Sequence, residues 1–303
     1  MIRKEKIQFT LLSILFLVVI SCKEENYTNS VLWQITNPET NISSYILGTV
    51  HILDTTFITF PRNELKNLIG DSDILCTEVD PEQFNEVNIA IPPIYVTKDE
   101  HKITNTLEDD YYKKLMRIAD SSKYSLYEWQ PYLDSVVPAK ITQLIMLDRQ
   151  RMRSNFFREN NYSPENDFIN YAKKNEIEFS ALETTGEWES YYSYSLGIQN
   201  DYDKNLDILK EAIDIYYDEN YIDIFQQYQE QNLNIGDKKM FTDSIMILRN
   251  KRMCYKIDSI LKTKKAFIAV GVAHLPFENG ILNLLSEKEY IIERKNIEIQ
   301  KRQ

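Results

Sequence analysis

Two of the three histidines in this chain stand three residues after a glycine, in GTVH (Gly48 to His51) and GVAH (Gly271 to His274). Each glycine closes an apolar run, SYILG in one case and AFIAVG in the other. An imidazole serves as a metal ligand or as a general base near neutral pH. A glycine beside it lets the backbone turn sharply and keeps bulk away from a substrate. Carboxylates occupy the same place in the pattern: Glu78 follows DILCT, with Asp80 two residues on, and Glu183 ends IEFSALE. Either glutamate suits a metal ligand, a general base, or a partner that orients an imidazole. His101, in the polar stretch KDEHKITN, follows neither a glycine nor a strand pattern and is expected to be an exposed bystander.

The elements that must hold these residues are legible as patterns. VLWQI and SYILG alternate around the turn-forming TNPETN and predict a β-hairpin. PRNELKNLIG begins with proline and ends in glycine, the start and stop signals of a short helix. DILCTEVD is expected to be a strand running to the acids Glu78 and Asp80. Helical periodicity follows over about residues 107–172, with Pro138 kinking or splitting the middle element. SPENDFINYAKKN carries a Ser163 cap, Pro164 at the first helical position, and the acid Asp167. IEFSALET is a strand, residues 187–262 are helical again, and AFIAVG, ENGILNLLSEK and YIIERK repeat strand, helix, strand. The expected fold is α/β: a central mixed sheet surrounded by helices, a strand–GxxH–helix–strand unit near each end, and a helical insertion between them. In an open α/β sheet ligands bind beyond the carboxyl ends of the strands. Two such ends can aim His51 and His274 at one point, with Gly48, Gly271 and the acids close by.

Composition narrows the function further. With 303 residues, 43% of them hydrophobic, and only seven glycines and nine prolines, the chain can build a large core and contains no low-complexity linker. A net charge of -11 and a pI near 5.0 argue against a nucleic-acid groove. MIRKEK followed by IQFTLLSILFLVVI has the basic flank and short apolar run of a secretory signal, too short for a confident membrane span. The run ends in Val19, Ile20, Ser21, Cys22, which resembles a bacterial lipobox with Cys22 as the lipidated residue. Lys23, Glu24 and Glu25 resemble a signal that routes some lipoproteins to the cell surface. The expected organisation is a lipoprotein signal peptide over 1–21, lipidated Cys22 and a polar tether over 22–30, and a single α/β domain over 31–303. Cys76 and Cys254 lie in apolar patterns and are expected to be buried thiols. No HExxH, GxSxG or GxGxxG motif occurs.

GTVH, EVD at Glu78 to Asp80, LET at Leu182 to Thr184, LRNKRM at Leu248 to Met253 and VGVAHLPFENGILNLL at Val270 to Leu285 together resemble the TraB/GumN family. That family is related to the Tiki metalloproteases and, more distantly, to ChaN haem-uptake proteins and erythromycin esterases. The resemblance spans roughly residues 31–297. It implies an α/β sheet with one active-site crevice, and a divalent metal (Mn, Co or Zn) held by His51, His274 and Glu78. Glu183 would then accept a proton, and Arg249 of the RN pair would stabilise an oxyanion or hold a substrate carboxylate. Asn250, Asp80, Asp167, Gly48 and Gly271 would line or support the site. The chain departs from the family where glycines are common, having Ile52, Leu53 and Asp54 after the first histidine and Pro276 and Phe277 after the second. Three functions accommodate these residues: a lipid-anchored, metal-dependent protease or other hydrolase; a non-catalytic lipoprotein that sequesters peptide, haem or metal; and a metal-independent esterase. The expected partners are a membrane reached through Cys22 and a peptide or small-molecule substrate. The expected location is the bacterial cell envelope, anchored to the outer membrane and facing the periplasm or the cell surface.

Overall fold

Alternation along LWQIT and SSYILGT becomes the first hairpin of the fold: β1 (Leu32–Thr36) pairs antiparallel with β2 (Ser43–Thr49). In the turn, the Asn37 side chain accepts from the amides of Glu39 and Thr40, and Asn41 takes the left-handed conformation that asparagine tolerates. These elements belong to a computed structural model that describes residues 27–50, 53–54, 58–80, 96, 98–122, 125–153, 161–187, 190–191, 202–218, 227–228, 230–233 and 244–301. The leader, Cys22 and His51 lie outside the described residues.

Four further strands complete a six-stranded sheet: β3 (Ile74–Thr77), β4 (Glu178–Ala181), β5 (Ala266–Gly271) and β6 (Ile291–Lys295). Their order is β4-β3-β5-β2-β1-β6. β4, β3, β5 and β2 run parallel, and β1 lies antiparallel between β2 and β6, so the sheet is mixed. The predicted α/β architecture is therefore present.

Among the helices of the described residues, in chain order, are α1 (Arg62–Gly70), α2 (Asp109–Ser121), α3 (Pro138–Arg153), α4 (Pro164–Lys174), α5 (Tyr202–Ile215), α6 (Ser244–Leu261) and α7 (Ile281–Ser286). Every residue of β5 is buried because helices cover both faces of the sheet. Phe267 and Ala269 pack with Leu65 and Ile69 of α1 and Phe168 of α4, while Ile268 and Val270 pack with Met253 and Ile257 of α6 and Ile281 of α7. The inserted helices α2, α3 and α5 form a separate core from Leu115, Ile118, Ile145, Leu209 and Ile213. Buried Arg149 donates to the carbonyls of Ile215 and Asp218 at the end of α5, where carbonyls lack helical partners.

Several boundaries differ from the sequence pattern. Of the two outcomes expected at Pro138, splitting is the one seen: the middle element divides into the 3-10 turn Gln130–Ser135 and α3, which Pro138 opens because its missing amide costs nothing at a first helical position. β3 stops at Thr77, leaving Glu78 just beyond the ladder. His101 is half-buried rather than exposed, its ring stacked on Tyr202 with centroids 4.5 Å apart. Among the described residues no helix is long and apolar enough to cross a membrane.

Candidate active site

Strand order brings the chemistry-bearing segments together. β5 lies between β2 and β3, with Thr49 opposite Gly271 and Thr77 opposite Ala269, and β4 adds Ala181 opposite Thr77. The carboxyl ends of four neighbouring strands thus open on one edge, and Val50, Glu78, Leu182, Glu183 and Val272–His274 lead on from them. Beyond the strands, Leu182 donates its amide to Thr77 and Glu183 donates its amide to the carbonyl of Glu78, both at 2.8 Å. That extension sets the two glutamates side by side.

Helix α6 supplies the groups that engage them. Arg249 Nε donates to Glu183 Oε1 at 3.0 Å, and Nη2 donates to Glu183 Oε2 at 2.7 Å and to Glu78 Oε1. Glu78 Oε2 accepts from the Gly271 amide at 3.1 Å and lies 3.6 Å from His274 Nε2. On the other side of the ring, His274 Nδ1 is 2.6 Å from Asn250 Oδ1, and Asn250 Nδ2 donates to the Asn279 carbonyl at 2.8 Å. Glu78, Glu183, Asn250 and His274 are buried, and the Arg249 side chain keeps 14% of its exposure. Burial opposes the Arg249 charge, but Glu183 and Glu78 outweigh it and hold the guanidinium well above its ordinary range. Among the described residues, one guanidinium thus bridges two carboxyl groups.

The loop into this site is tightly constrained. A side chain at Gly48 would bring its Cβ within 2.8 Å of Val272 Cγ2 and 2.9 Å of Leu275 Cδ1, so only glycine lets the GVAH segment lie against β2. Gly280 is more crowded still, its hypothetical Cβ falling 2.1 Å from the Pro276 carbonyl oxygen. Phe277 has a φ of 69°, the left-handed region that favours glycine, at a position where the family resemblance leads one to expect that residue.

Glu78, Glu183, Arg249, Asn250, Gly271 and His274 therefore meet. Asp80 is half-buried two residues past Glu78. Asp167 is engaged elsewhere, by Lys66 at 2.7 Å and the Tyr162 hydroxyl at 2.7 Å. Cys76 and Cys254 are buried free thiols, pushed up to about 12 by desolvation, and stand apart from this chemistry. Glu165 was not singled out by its pattern. It is a buried acid bonded to Thr49 Oγ1, which also bonds the Val270 carbonyl at 3.1 Å, at the same strand ends. In SPENDF it looks like an ordinary first-turn acid behind the Ser163 cap, and only strand pairing places Thr49 against it.

Two of the three expected metal ligands, Glu78 and His274, lie side by side. Glu78 Oε2 and His274 Nε2, 3.6 Å apart, have a spacing open to two ligands of one ion, each about 2.0–2.2 Å from it. The hydrogen bonds that Arg249, Gly271 and Asn250 make to these two residues are the outer support that ligating carboxylates and imidazoles usually have. Among the described residues no group of three or more His, Cys, Asp or Glu side chains is arranged to hold a metal. The third expected ligand, His51, lies outside those residues.

Comparison with known proteins places the whole site inside one family match. The model of the TraB/PrgY/gumN family matches residues 31–294, most of the chain. Neither a curated protein nor a solved structure matches it.

Proposed function

Because the chain belongs to the TraB/PrgY/gumN family, we propose that it is a hydrolase of the bacterial cell envelope, held to the membrane through lipidated Cys22 and acting on peptide bonds. The observation that carries this reading is His274 Nε2 facing Glu78 Oε2 at 3.6 Å inside a buried cluster at the carboxyl edge of the sheet. Such a pair suits an electropositive centre placed beside it.

A divalent ion such as Mn, Co or Zn would be held by His274, Glu78 and His51, and when bound it would supply Lewis acidity. The chain's own groups do the rest. Glu183 spends both carboxylate oxygens on Arg249 and so fixes the guanidinium plane. Arg249 Nη1 has no hydrogen-bond acceptor among the described residues, and it donates to the carbonyl oxygen of the substrate as negative charge builds there. The proton lost by the attacking water is taken up by Glu183, the acid to which the family resemblance assigns that role, and returned to the leaving group, since His274 and Glu78 would be occupied as ligands.

The test compares wild type with His51→Ala, Glu78→Gln and His274→Ala. Thermal unfolding is followed with Mn, Co or Zn, and turnover of peptide and ester libraries is followed with and without chelator. A ligand at a hundredfold its Kd adds about 2.7 kcal/mol of stability, so metal should stabilise wild type clearly and each variant much less. Equal stabilisation of all four proteins, or of none, refutes the metal. Turnover that survives chelator yet needs His274 points to a metal-independent esterase. Tight stoichiometric binding without turnover points to a sequestration protein.

A further inference from the structure

We propose that Asn250 is a positioning residue that locks the neutral His274 ring with its proton on Nδ1, leaving Nε2 as the lone-pair atom turned toward Glu78. This rests on the hydrolytic reading for its purpose, but its geometry stands independently. A backbone carbonyl only accepts hydrogen bonds, so the Asn250 group 2.8 Å from the Asn279 carbonyl must be the amide NH2. The amide oxygen therefore faces His274 Nδ1, 2.6 Å away, and an amide oxygen also only accepts. Nδ1 must then be the donor.

The consequence falls on the other nitrogen. In a neutral ring with Nδ1 protonated, Nε2 holds the lone pair, and it is this atom that lies 3.6 Å from Glu78 Oε2. The opposite tautomer would leave two acceptors in contact at 2.6 Å inside a site where Asn250 and His274 are each 3% exposed, and buried polar groups without partners are costly. Asn250 follows Arg249 directly on α6, so one helix sets both the carboxylate clamp and the tautomer of the imidazole. An isolated histidine side chain favours the proton on Nε2, so the lock works against the intrinsic preference of the ring.

The experiment is long-range ¹H–¹⁵N NMR of the chelator-treated, uniformly labelled full chain, at a pH where the ring is neutral. The chain has only three histidines, and His274→Ala identifies the signal. The expected wild-type pattern is Nδ1–H with Nε2 of the lone-pair type. Asn250→Ala should lose that pattern in favour of Nε2–H, while its backbone amide spectrum reports an intact fold. Asn250→Asp, which keeps an acceptor at the same place, should retain Nδ1–H. An Nε2–H pattern in wild type overturns the proposal, and so does an Nδ1–H pattern that persists in Asn250→Ala. The wild-type spectrum decides even if Asn250→Ala does not fold. No step of this measurement requires turnover, so a failed tautomer assignment and a failed hydrolase assignment are separate results.

Discussion

Replacing Arg249 by methionine removes the guanidinium that bridges Glu78 and Glu183 while keeping most of the apolar stem. In the native protein the three side chains keep 14%, 6% and 2% of their exposure, so the carboxylates have little water to turn to. Breaking a buried ion pair from one side costs about 3–5 kcal/mol, because the partner charge stays behind uncompensated. Here two carboxyl groups lose the same guanidinium, and like charges in one site repel. Arg249→Met is therefore expected to lose about 3–5 kcal/mol in urea unfolding at neutral pH. The sign of a second substitution tests the cause. Glu183→Gln in wild type removes an acceptor of two Arg249 bonds and should cost about 1–3 kcal/mol. In the Arg249→Met background the same change removes one of the two neighbouring carboxyl groups, so it should restore at least about 1 kcal/mol. If Glu183→Gln costs the same in both backgrounds, or Arg249→Met costs less than about 1 kcal/mol, Arg249 does not hold the two acids together.

Three further outcomes follow from particular contacts. Gly48→Ala drives a Cβ to 2.8 Å from Val272 and should cost about 1–3 kcal/mol by overpacking, with a lowered Tm in calorimetry; an unchanged Tm would mean the GVAH segment yields freely. The Tyr228 hydroxyl is fully buried with no hydrogen-bond partner among the described residues, so Tyr228→Phe should leave stability unchanged or raise it by up to about 1 kcal/mol. A clear loss in urea unfolding would show that the hydroxyl has a partner. Burial alone would raise the Asp258 carboxyl, but Lys288, Tyr290 and Lys262 bond to it and hold it below its ordinary 3.8. A depressed carboxyl contributes stability that is present above its unfolded value and lost as pH falls through the folded one. Asp258→Asn should therefore cost stability at neutral pH and flatten the acid limb below about pH 4, and an unchanged limb in pH-dependent unfolding would contradict this.

Much of this protein was readable from the chain alone, because the signals were local. Alternation and a turn containing Asn37 and Asn41 set the first hairpin. Proline and glycine bounded α1, Ser163 and Pro164 opened α4, and apolar runs closing on Gly48 and Gly271 marked two strand ends beside histidines. The family resemblance, confirmed over residues 31–294, rested on five such local motifs in order. What required the tertiary structure was adjacency. No local pattern says that β5, formed near the end of the chain, inserts between β2 and β3 rather than adding at an edge. That insertion puts Gly271 beside Glu78, 193 residues earlier. Nor could LRNKRM show that Arg249 reaches two strand-end acids while Asn250 holds the imidazole, or that Asp167, an equally plausible acid, goes to Lys66 and Tyr162 instead. Side-chain type and spacing are written into the backbone's own neighbours. Parallel strand pairing and helix placement are decided by which apolar faces bury against which, and that choice belongs to the whole chain at once.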